Sequence, residues 1–333
     1  MKKYTAYAIG AALVDSEVQV SDADLAAMQV EKGVMTLVDQ ARQRELLNHL
    51  THHLLGAQHA SGGSAGNSMI ATALFGAPTY MSCKVAQDAD GDIYVEDLER
   101  CGVDHGFNQG RKDGITGKCL VLVTPDAERS MNTYLGISET LSVDEVNEVA
   151  IADAEWVYLE GYLVTSPPCQ EAALRTRELA CLHGAKIAVS FSDPGMVTFF
   201  RDNMVAMVGD GVDLIFCNEI EAKEWAQTED LQEAFEQLKG SARQFVITRG
   251  AQGALGWDGH AVIECAAEPV AAINTNGAGD MFAGAFLYAL SRAVSFADAI
   301  AFASRSAALV VQQHGPRLDR DTCLKLRRDF FHD

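Results

Sequence analysis

The chain has 333 residues, of which 48% are hydrophobic and 22% are charged, a composition that excludes a disordered or low-complexity protein. Its 46 acidic and 26 basic residues give a formal net charge of −20. So large a negative charge disfavours sequence-independent binding to nucleic acid or to an anionic membrane, because both are polyanions.

The cysteines and the apolar runs indicate the kind of compartment in which the protein works. The eight cysteines include no CxxC pair, which favours reduced, mostly buried thiols over a zinc site or a disulfide framework. No uncharged apolar run reaches the roughly 18 residues that a membrane span needs. We therefore expect a soluble, cytoplasmic protein without a nucleic-acid or membrane partner, either a monomer or a homodimer.

Short apolar runs and longer amphipathic stretches alternate along the chain. Strands are predicted at residues 7–14, 120–124, 156–159, 187–190, 214–217 and 245–248, and helices at 68–75, 168–183, 222–240, 278–290 and 296–313. Two short runs around Asp258-Gly259 predict a β-hairpin over residues 254–265. Strands that alternate with helices predict an α/β fold, with a mostly parallel central sheet and helices on both faces.

Two segments interrupt this alternation, at residues 17–32 and 114–136. The second contains a strand, a turn and another strand, which is typical of a small β flap over a binding site. We expect a single domain over residues 1–333, with a β-strand lid formed by inserted segments at roughly 16–40 and 106–137. The stretch 139–160 has seven acidic residues and no basic one, and we interpret it as a solvated helix face.

The stretch NTNGAGD at residues 274–280 stands at the start of an apolar helix. Gly277 and Gly279 allow backbone N–H groups to converge at the N-terminus of that helix, where the helix dipole favours an anion. Asp280 then places a carboxylate in the first turn, beside the anion site. A helix start with a capping Asp explains the same residues, so the motif alone leaves both interpretations open.

The stretch SGGSAGN at residues 61–67 opens another predicted helix. Gly62 and Gly63 let a ligand approach the backbone, and the Asn67 amide can bond two hydroxyl groups at once. A tight turn between strand and helix, with Asn67 as the capping residue, is the alternative interpretation.

Polar residues also stand at the carboxyl ends of two predicted strands, which is where open α/β sheets bind ligands. Asn218 and Glu221 follow the strand at 214–217 and are suited to holding a hydrated magnesium ion through water. An N-capped helix explains this pair equally well. Thr248, Arg249 and Gly250 end the strand at 245–248 and supply a hydroxyl, a cation and a flexible turn for phosphate oxygens.

Two other patterns do not support a site. The sequence GKC at 117–119 lacks both the first Gly and the Ser or Thr of a Walker phosphate loop. His49, His52 and His53 have helical spacing but no HExxH motif and no carboxylate at ligand spacing. A structural or surface role is therefore favoured over a metal site.

Taken in order, these motifs resemble the PfkB family of carbohydrate and nucleoside kinases, which have the ribokinase-like fold, and within it the adenosine kinases. The resemblance covers nearly the whole chain, and the GAGD block at 277–280 is its most specific part. The other shared positions are Gly10 and Asp15, Gly62, Gly63 and Asn67, Thr116, Gly117 and Arg129, Tyr158, Gly161, Tyr162 and Leu163, and Asn218 and Glu221.

The resemblance implies a three-layer ribokinase-like fold and transfer of the γ-phosphoryl group of ATP to a sugar hydroxyl. Asp280 matches the catalytic base of the family, and Gly277, Ala278 and Gly279 match its anion hole, whose N–H groups face the transferring phosphoryl group. Asn218 and Glu221 match the element that organises magnesium. The positions expected to bind the substrate are Asp15, Gly62, Gly63, Asn67 and Arg129, and those expected to bind ATP are Asn218, Thr248, Arg249, Gly250 and Asn276.

The sequence departs from the family pattern at two positions. Asn274 stands where many members have an Asp that helps to bind a monovalent cation, so activation by potassium is left open. Ala11 stands where adenosine kinases typically have Asn, which removes an amide that could contact the substrate.

The hypothesis that follows is an ATP- and magnesium-dependent kinase that phosphorylates the primary (5′) hydroxyl of a nucleoside, with adenosine foremost. One alternative is a PfkB sugar kinase that acts on fructose, ribose or a related free sugar. Another is a non-catalytic nucleotide- or sugar-binding protein on the same scaffold, because a fold does not fix a function.

Overall fold

The computed structural model describes residues 2–50 and 58–332. His52 and His53 lie outside the described residues. Among the helices of the described ranges we find none with the length and apolar character required to cross a membrane.

The strands and helices follow one another in a largely alternating order. The strands are β1 (Tyr4–Ile9), β2 (Leu13–Gln19), β3 (Met35–Leu37), β4 (Gln58–Gly62), β5 (Thr79–Ser82), β6 (Val103–His105), β7 (Gly117–Val123), β8 (Arg129–Tyr134), β9 (Ala154–Glu160), β10 (Lys186–Ser190), β11 (Val212–Asn218), β12 (Ala242–Thr248), β13 (Ala254–Trp257) and β14 (Val262–Cys265). The helices are α1 (Asp22–Ala27), α2 (Gln40–His49), α3 (Ser64–Leu74), α4 (Ala89–Cys101), α5 (Glu148–Ala152), α6 (Pro167–Leu182), α7 (Pro194–Phe199), α8 (Arg201–Val208), α9 (Glu219–Ala226), α10 (Leu231–Leu238), α11 (Ala278–Ser291), α12 (Phe296–Val310) and α13 (Arg320–Phe331).

The larger sheet of the described ranges has nine strands in the order β14-β13-β12-β11-β10-β9-β1-β5-β6. Its strands from β12 to β6 pair in parallel, whereas β12, β13 and β14 pair antiparallel. Along β1, Ala6 and Ala8 face one core and Tyr7 and Ile9 face the other, because successive side chains point to opposite faces of a sheet. Helices α3, α4, α11, α12 and α13 contribute to the first core and α5–α10 to the second. The predicted α/β fold, with helices on both faces and a hairpin at 254–265, is confirmed.

A smaller sheet, which has five strands within the described ranges, has the order β3-β8-β7-β2-β4. On one face, side chains of β2 and β7 such as Val18 and Leu122 pack against Leu25 of α1 and Leu46 of α2. The opposite face, which includes Leu13 and Cys119, looks toward the larger sheet. The chain passes from one sheet to the other between Ile9 and Leu13.

The apolar run at 7–14 is therefore two strands and not one, and that prediction was wrong. β1 ends at Ile9, and a Cβ on Gly10 would lie only 2.6 Å from Cδ of Glu160, so a larger residue does not fit here. The predicted helix at 222–240 is also divided, into α9 and α10. Gln227 ends α9 in the left-handed region, and Asp230 caps α10 by accepting N–H bonds from Gln232 and Glu233.

The acidic stretch 139–160 was wrongly interpreted as a solvated helix face. It contains short 3-10 segments, the five-residue helix α5 and strand β9. Its last residue, Glu160, is fully buried. Charge counted along the sequence did not separate this residue from its exposed neighbours.

Candidate active site

A cavity of about 350 Å³ lies between the smaller sheet and the carboxyl ends of the strands of the larger sheet. The strand ends contribute Glu160, Ser190, Asn218 and Thr248 to its wall. The smaller sheet contributes two charged residues, Asp15 from β2 and Arg129 from β8, together with a set of mostly apolar side chains from β2, β3, β7 and β8. The N-terminus of α11 closes a third side. This is the edge of an open α/β sheet at which ligands generally bind.

Most of the residues singled out from the sequence line this cavity. They are Asp15, Gly63, Asn67, Arg129, Asn218, Glu221, Thr248, Gly250, Asn276, Gly277, Ala278, Gly279 and Asp280. Gly62 and Arg249 are not part of the wall. Gly62 instead makes room for the Asp15 carboxylate, with which a Cβ would collide. The Arg249 guanidinium lies 3.0 Å from the Glu219 carboxylate and also bonds Gln252, so its charge is used outside the cavity.

Asp280 lies in the first turn of α11 and is partly exposed to the cavity. Its Oδ1 accepts a hydrogen bond of 2.7 Å from Ser64 Oγ, and its Oδ2 accepts one of 3.0 Å from Asn67 Nδ2. Removal from bulk water raises the pKa of this carboxyl, although the two hydrogen bonds and the charges of Arg129 and Arg317 oppose the rise. Asp280 is thus a fixed carboxylate that accepts protons more readily than an ordinary Asp.

The turn at residues 274–277 brings the backbone to the start of α11. Gly277 is in the left-handed region with φ +74°, and a Cβ there would collide with the Pro316 carbonyl. At Gly279 a Cβ would have no neighbour within 4 Å. Gly277 is therefore required by the turn and its packing, whereas Gly279 keeps the N-terminus of the helix open to the cavity.

Further hydrogen-bonding groups of the cavity near Asp280 come from β2 and α3. Asp15 is buried, and burial raises its pKa to about 7 despite the opposing charge of Arg317. Asn67 is 4% exposed, and its Oδ1 has no hydrogen-bond partner among the described residues. A buried acceptor without a partner is costly unless a ligand or water supplies a donor.

Glu160 is a site residue that the sequence reasoning did not identify. Its Oε1 accepts the Ala11 N–H at 2.6 Å and its Oε2 accepts the Ala65 N–H at 2.7 Å. It thereby joins the crossing between the two sheets to the first turn of α3, the helix whose Ser64 and Asn67 donate hydrogen bonds to Asp280. Burial raises the pKa of Glu160 to about 7, against the effect of these two N–H groups. Its position at the end of a buried strand was the signal that could have revealed it.

A Glu160→Gln variant should show a weaker dependence of stability on pH. Because the pKa of Glu160 rises on folding from 4.5 to about 7, its contribution to the free energy of unfolding is present at low pH and is lost as the pH rises through this window. The slope of the free energy of unfolding against pH should therefore be less steep in the variant, by up to about 1.4 kcal/mol per pH unit. Urea unfolding at several pH values measures this slope. Equal slopes in the two proteins would contradict a raised pKa at Glu160.

Asn218 and Glu221 form a capping box at the start of α9. Asn218 N–H donates to Glu221 Oε2 at 2.9 Å, Asn218 Nδ2 donates to Oε1 at 2.7 Å, and Glu221 N–H donates to Asn218 Oδ1 at 2.8 Å. The helix-capping interpretation of this pair is thus satisfied in the structure. Burial raises the pKa of Glu221 to about 7. The pair lies in the cavity wall, so capping does not exclude a second role.

The smaller sheet touches the 274–277 turn at two places. Arg129 Nη1 donates to the carbonyl oxygen and to Oγ1 of Thr275, both at 3.3 Å. Glu17 Oε2 accepts a hydrogen bond of 2.6 Å from Asn274 Nδ2. Among the described residues, no cluster of three or more His, Cys, Asp or Glu side chains is placed to hold a metal ion.

Comparisons with known proteins identify chains of similar sequence and fold. The chain is similar to a probable sugar kinase from Rhizobium etli CFN 42, with 32% identity, a TM-score of 0.91 and 98% of each chain covered. It is similar to adenosine kinase from Sinorhizobium meliloti, with 31% identity, a TM-score of 0.92 and coverage of 98% of this chain and 99% of the other. It is also 28% identical to the ribokinase of Staphylococcus aureus (strain COL), over 80% of this chain and 86% of that one.

The family model described as pfkB family carbohydrate kinase matches residues 36–323. This range includes α3, the strand ends that line the cavity and the turn that leads into α11. The chain therefore belongs to the PfkB family of carbohydrate kinases and is a phosphotransferase.

Proposed function

We propose that this kinase transfers the γ-phosphoryl group of ATP to the primary (5′) hydroxyl of a nucleoside, with adenosine as the foremost candidate. The observation that carries the proposal is the placement of Asp280. Its carboxylate lies at the N-terminus of α11, in the wall of the cavity, and is held by Ser64 and Asn67. A protein that only binds nucleotides needs the helix N-terminus but has no use for a base beside it.

In the proposed reaction, Asp280 takes the proton of the acceptor hydroxyl while that oxygen attacks phosphorus. The new O–P bond forms as the bond from phosphorus to the leaving ADP oxygen breaks. Backbone N–H groups at Gly277 and Gly279, joined by the Ala278 N–H once it leaves the Thr275 carbonyl to which it donates at 3.3 Å, stabilise the negative charge of the transferring group, which is where electrostatic stabilisation counts most in phosphoryl transfer.

The lining of the cavity supports a nucleoside over a free sugar. Asp15 and Asn67 Oδ1 offer acceptors for neighbouring sugar hydroxyls. The smaller sheet adds apolar side chains that a free sugar, with hydroxyls on most carbons, would leave uncovered but that a planar base can cover. These side chains are Leu13, Met35, Leu37, Met131 and Leu135.

A free-sugar kinase remains a second candidate, and two observations favour it. Ala11 lies in the cavity wall and offers no side-chain amide to a base or a ribose. The similarity to the ribokinase of Staphylococcus aureus extends over 80% of this chain. A fructose, a ribose or a related sugar is therefore included in the substrate test.

We propose that the ATP phosphates bind between the carboxyl ends of the strands and the N-terminus of α11. Thr248, Gly250, Asn218 and Asn276 line this part of the cavity. Arg129, from β8, reaches the neighbouring turn and supplies a cation close to the phosphates. In the proposal the segments 16–40 and 106–137 of a single domain, which supply β3, β7, β8 and most of β2, act as the lid and exclude water that could otherwise accept the phosphoryl group.

The donor set fits a hydrated magnesium ion and does not fit a potassium ion. Glu221 and Asn218 oxygens already accept hydrogen bonds and keep free lone pairs, which suits contact through water. Magnesium, when bound, neutralises charge on the phosphate oxygens. At the position of the usual cation-binding Asp, both side-chain atoms of Asn274 are engaged, Nδ2 with Glu17 and Oδ1 with the Asn276 N–H at 2.8 Å.

Removal of magnesium and removal of potassium should therefore have different effects on the rate of phosphoryl transfer. Chelation of magnesium should lower the rate of phosphoryl transfer by at least about 100-fold, because few protein cations face the phosphates. Exchange of potassium for sodium should leave the rate unchanged, because Asn274 is neutral, its Oδ1 already accepts the Asn276 N–H and its Nδ2 donates to Glu17. Steady-state rates in buffers of defined cation content measure both effects, and a marked stimulation by potassium would contradict the second expectation.

The substrate is identified by an ADP-release assay that compares nucleosides with free sugars. Release of ADP with adenosine, and formation of a 5′-monophosphate, would support the nucleoside proposal. Release only with fructose, ribose or a related sugar would favour the second candidate. ATP binding without phosphorylation of any acceptor would favour a non-catalytic binding protein.

A further inference from the structure

Strand β2 presents two carboxylates on the same face. Asp15 lies in the cavity wall, and Glu17, two residues later, points the same way because side chains alternate along a strand. The Glu17 side chain is only 10% exposed. Its Oε2 accepts hydrogen bonds from Asn274 Nδ2 at 2.6 Å and from the Gly315 N–H at 3.2 Å, and its Oε1 lies 3.1 Å from His314 Nδ1.

Asn274 connects Glu17 to the start of α11 through two hydrogen bonds. Asn274 is fully buried, and its Oδ1 accepts the Asn276 N–H at 2.8 Å. Only an oxygen can accept that bond, so the amide orientation is fixed and Nδ2 must face Glu17. Asn276 directly precedes Gly277, the first residue of the proposed anion hole.

The second partner of Glu17 reaches the same glycine from the other side. Gly315 is followed by Pro316, whose carbonyl packs so closely on Gly277 that a Cβ there would collide with it. Glu17 therefore bonds both segments that fix Gly277, the 274–277 turn and the 314–316 segment. We call these three contacts, from Glu17 to Asn274, Gly315 and His314, the Glu17 latch.

We infer that Glu17 is a positioning residue that couples occupation of the acceptor site to the geometry of the anion hole. The inference rests on the proposed function, since Asp15 is taken to bind acceptor hydroxyls. An acceptor bound at Asp15 restricts the motion of β2, and the Glu17 latch carries that restriction to Gly277. Acceptor and nucleotide then bind cooperatively, because the first ligand orders groups that the second one uses.

The physical latch can be tested without any enzymatic assay. Asn274→Asp places a second carboxylate against Glu17 and should lower the melting temperature, because like charges then face each other across a short distance. Adding Glu17→Gln supplies a donor to the new carboxylate but loses the bond to the Gly315 N–H, so the double variant should recover part of the loss. Additive effects of the two substitutions would overturn the latch.

The coupling is tested with a non-hydrolysable ATP analogue, whose dissociation constant is measured by calorimetry with and without saturating adenosine. In the unaltered protein, adenosine should lower the dissociation constant of the analogue about fivefold or more, which is a typical size for coupling between two sites. The ratio of the dissociation constants without and with adenosine measures this coupling. In Glu17→Ala the ratio should fall towards one. In Glu45→Ala, the same substitution at a carboxylate whose ion pair within the described residues is with Arg42 on α2, the ratio of dissociation constants should be retained.

The outcomes separate this inference from the proposed function. A ratio near one in the unaltered protein, or a ratio kept in Glu17→Ala, overturns the coupling while leaving the kinase activity in place. Should Glu17→Ala fail to fold, Asn274→Asp breaks the same bond from the other side and should also lose the ratio, with partial recovery in the Glu17→Gln/Asn274→Asp double variant. If no nucleoside binds and only a sugar is phosphorylated, the nucleoside proposal fails, and the same ratio is measured with that sugar.

Discussion

An Asp280→Asn variant should turn over about 10²–10⁴-fold more slowly than the unaltered protein, because the amide cannot take the proton of the acceptor hydroxyl. The nucleotide should still bind, since Asp280 repels rather than attracts phosphate. The loss should therefore appear in kcat and not in the dissociation constant for ATP. Initial-rate kinetics combined with calorimetric ATP binding measure the two quantities separately.

The surroundings of Asp280 predict that this variant folds. The substituted amide can accept from Ser64 through its oxygen, and Asn67 can turn its unpartnered Oδ1 toward the new N–H₂ group. Removal of a carboxyl whose pKa is raised also relieves an unfavourable burial, so the melting temperature should stay the same or rise. A drop in stability as large as the drop in rate would point to a structural role for Asp280.

A matched variant controls for the chemistry of the substitution. Asp213 accepts the Ile187 N–H at 2.9 Å near the amino ends of the strands, away from the cavity. Asp213→Asn makes the same change from carboxylate to amide and should keep its full turnover. Near-full activity of Asp280→Asn itself would refute the proposed mechanism.

The sequence predicted those parts of the site that depend on neighbours along the chain. The GAGD block could be interpreted because a turn, a helix N-terminus and an Asp in the first turn are all local features. The same locality explains why Asn218 and Glu221 allowed two interpretations. A capping box and a phosphate-side carboxylate require the same residues at the same spacing.

The parts that escaped prediction depend on contacts between distant segments. Glu160 meets Ala11 across 149 positions, and Glu17 meets Asn274 across 257. No local pattern distinguishes these carboxylates from exposed ones, because their role is fixed only when the two sheets come together. The break between β1 and β2 was missed for the same reason, since the apolar run is buried on both sides of it.

The charge distribution of the site explains how a protein of net charge −20 holds a phosphate compound. The wall contains Asp15, Glu160, Glu221 and Asp280, and burial raises the pKa of each. Arg129 is the cation of this wall among the described residues. Attraction for phosphate must therefore come mainly from backbone N–H groups and from the metal, which makes the backbone of the 274–277 turn more important than any single basic side chain.

A Gly277→Ala variant tests that conclusion and should lose both stability and activity. The left-handed backbone at φ +74° costs a non-glycine residue about 1–2 kcal/mol, and the new methyl group must also push the Pro316 carbonyl away. Moving the turn withdraws a donor from the transferring phosphoryl group, and loss of one such donor typically lowers kcat by about 10²–10³-fold. Chemical unfolding and steady-state kinetics measure the two effects.

Gly279→Ala is the matched control, because it makes the same chemical change two residues further along the chain. A methyl group at Gly279 meets no atom within 4 Å, and the residue is helical. Since Ala is favoured over Gly in a helix, stability should be kept or rise by up to about 1 kcal/mol. The methyl group faces the cavity, so any kinetic effect should appear as weaker ATP binding. Equal stability of the two variants would show that the positive φ and the Pro316 contact do not constrain the turn, and full activity of Gly277→Ala would contradict the backbone account of phosphate binding.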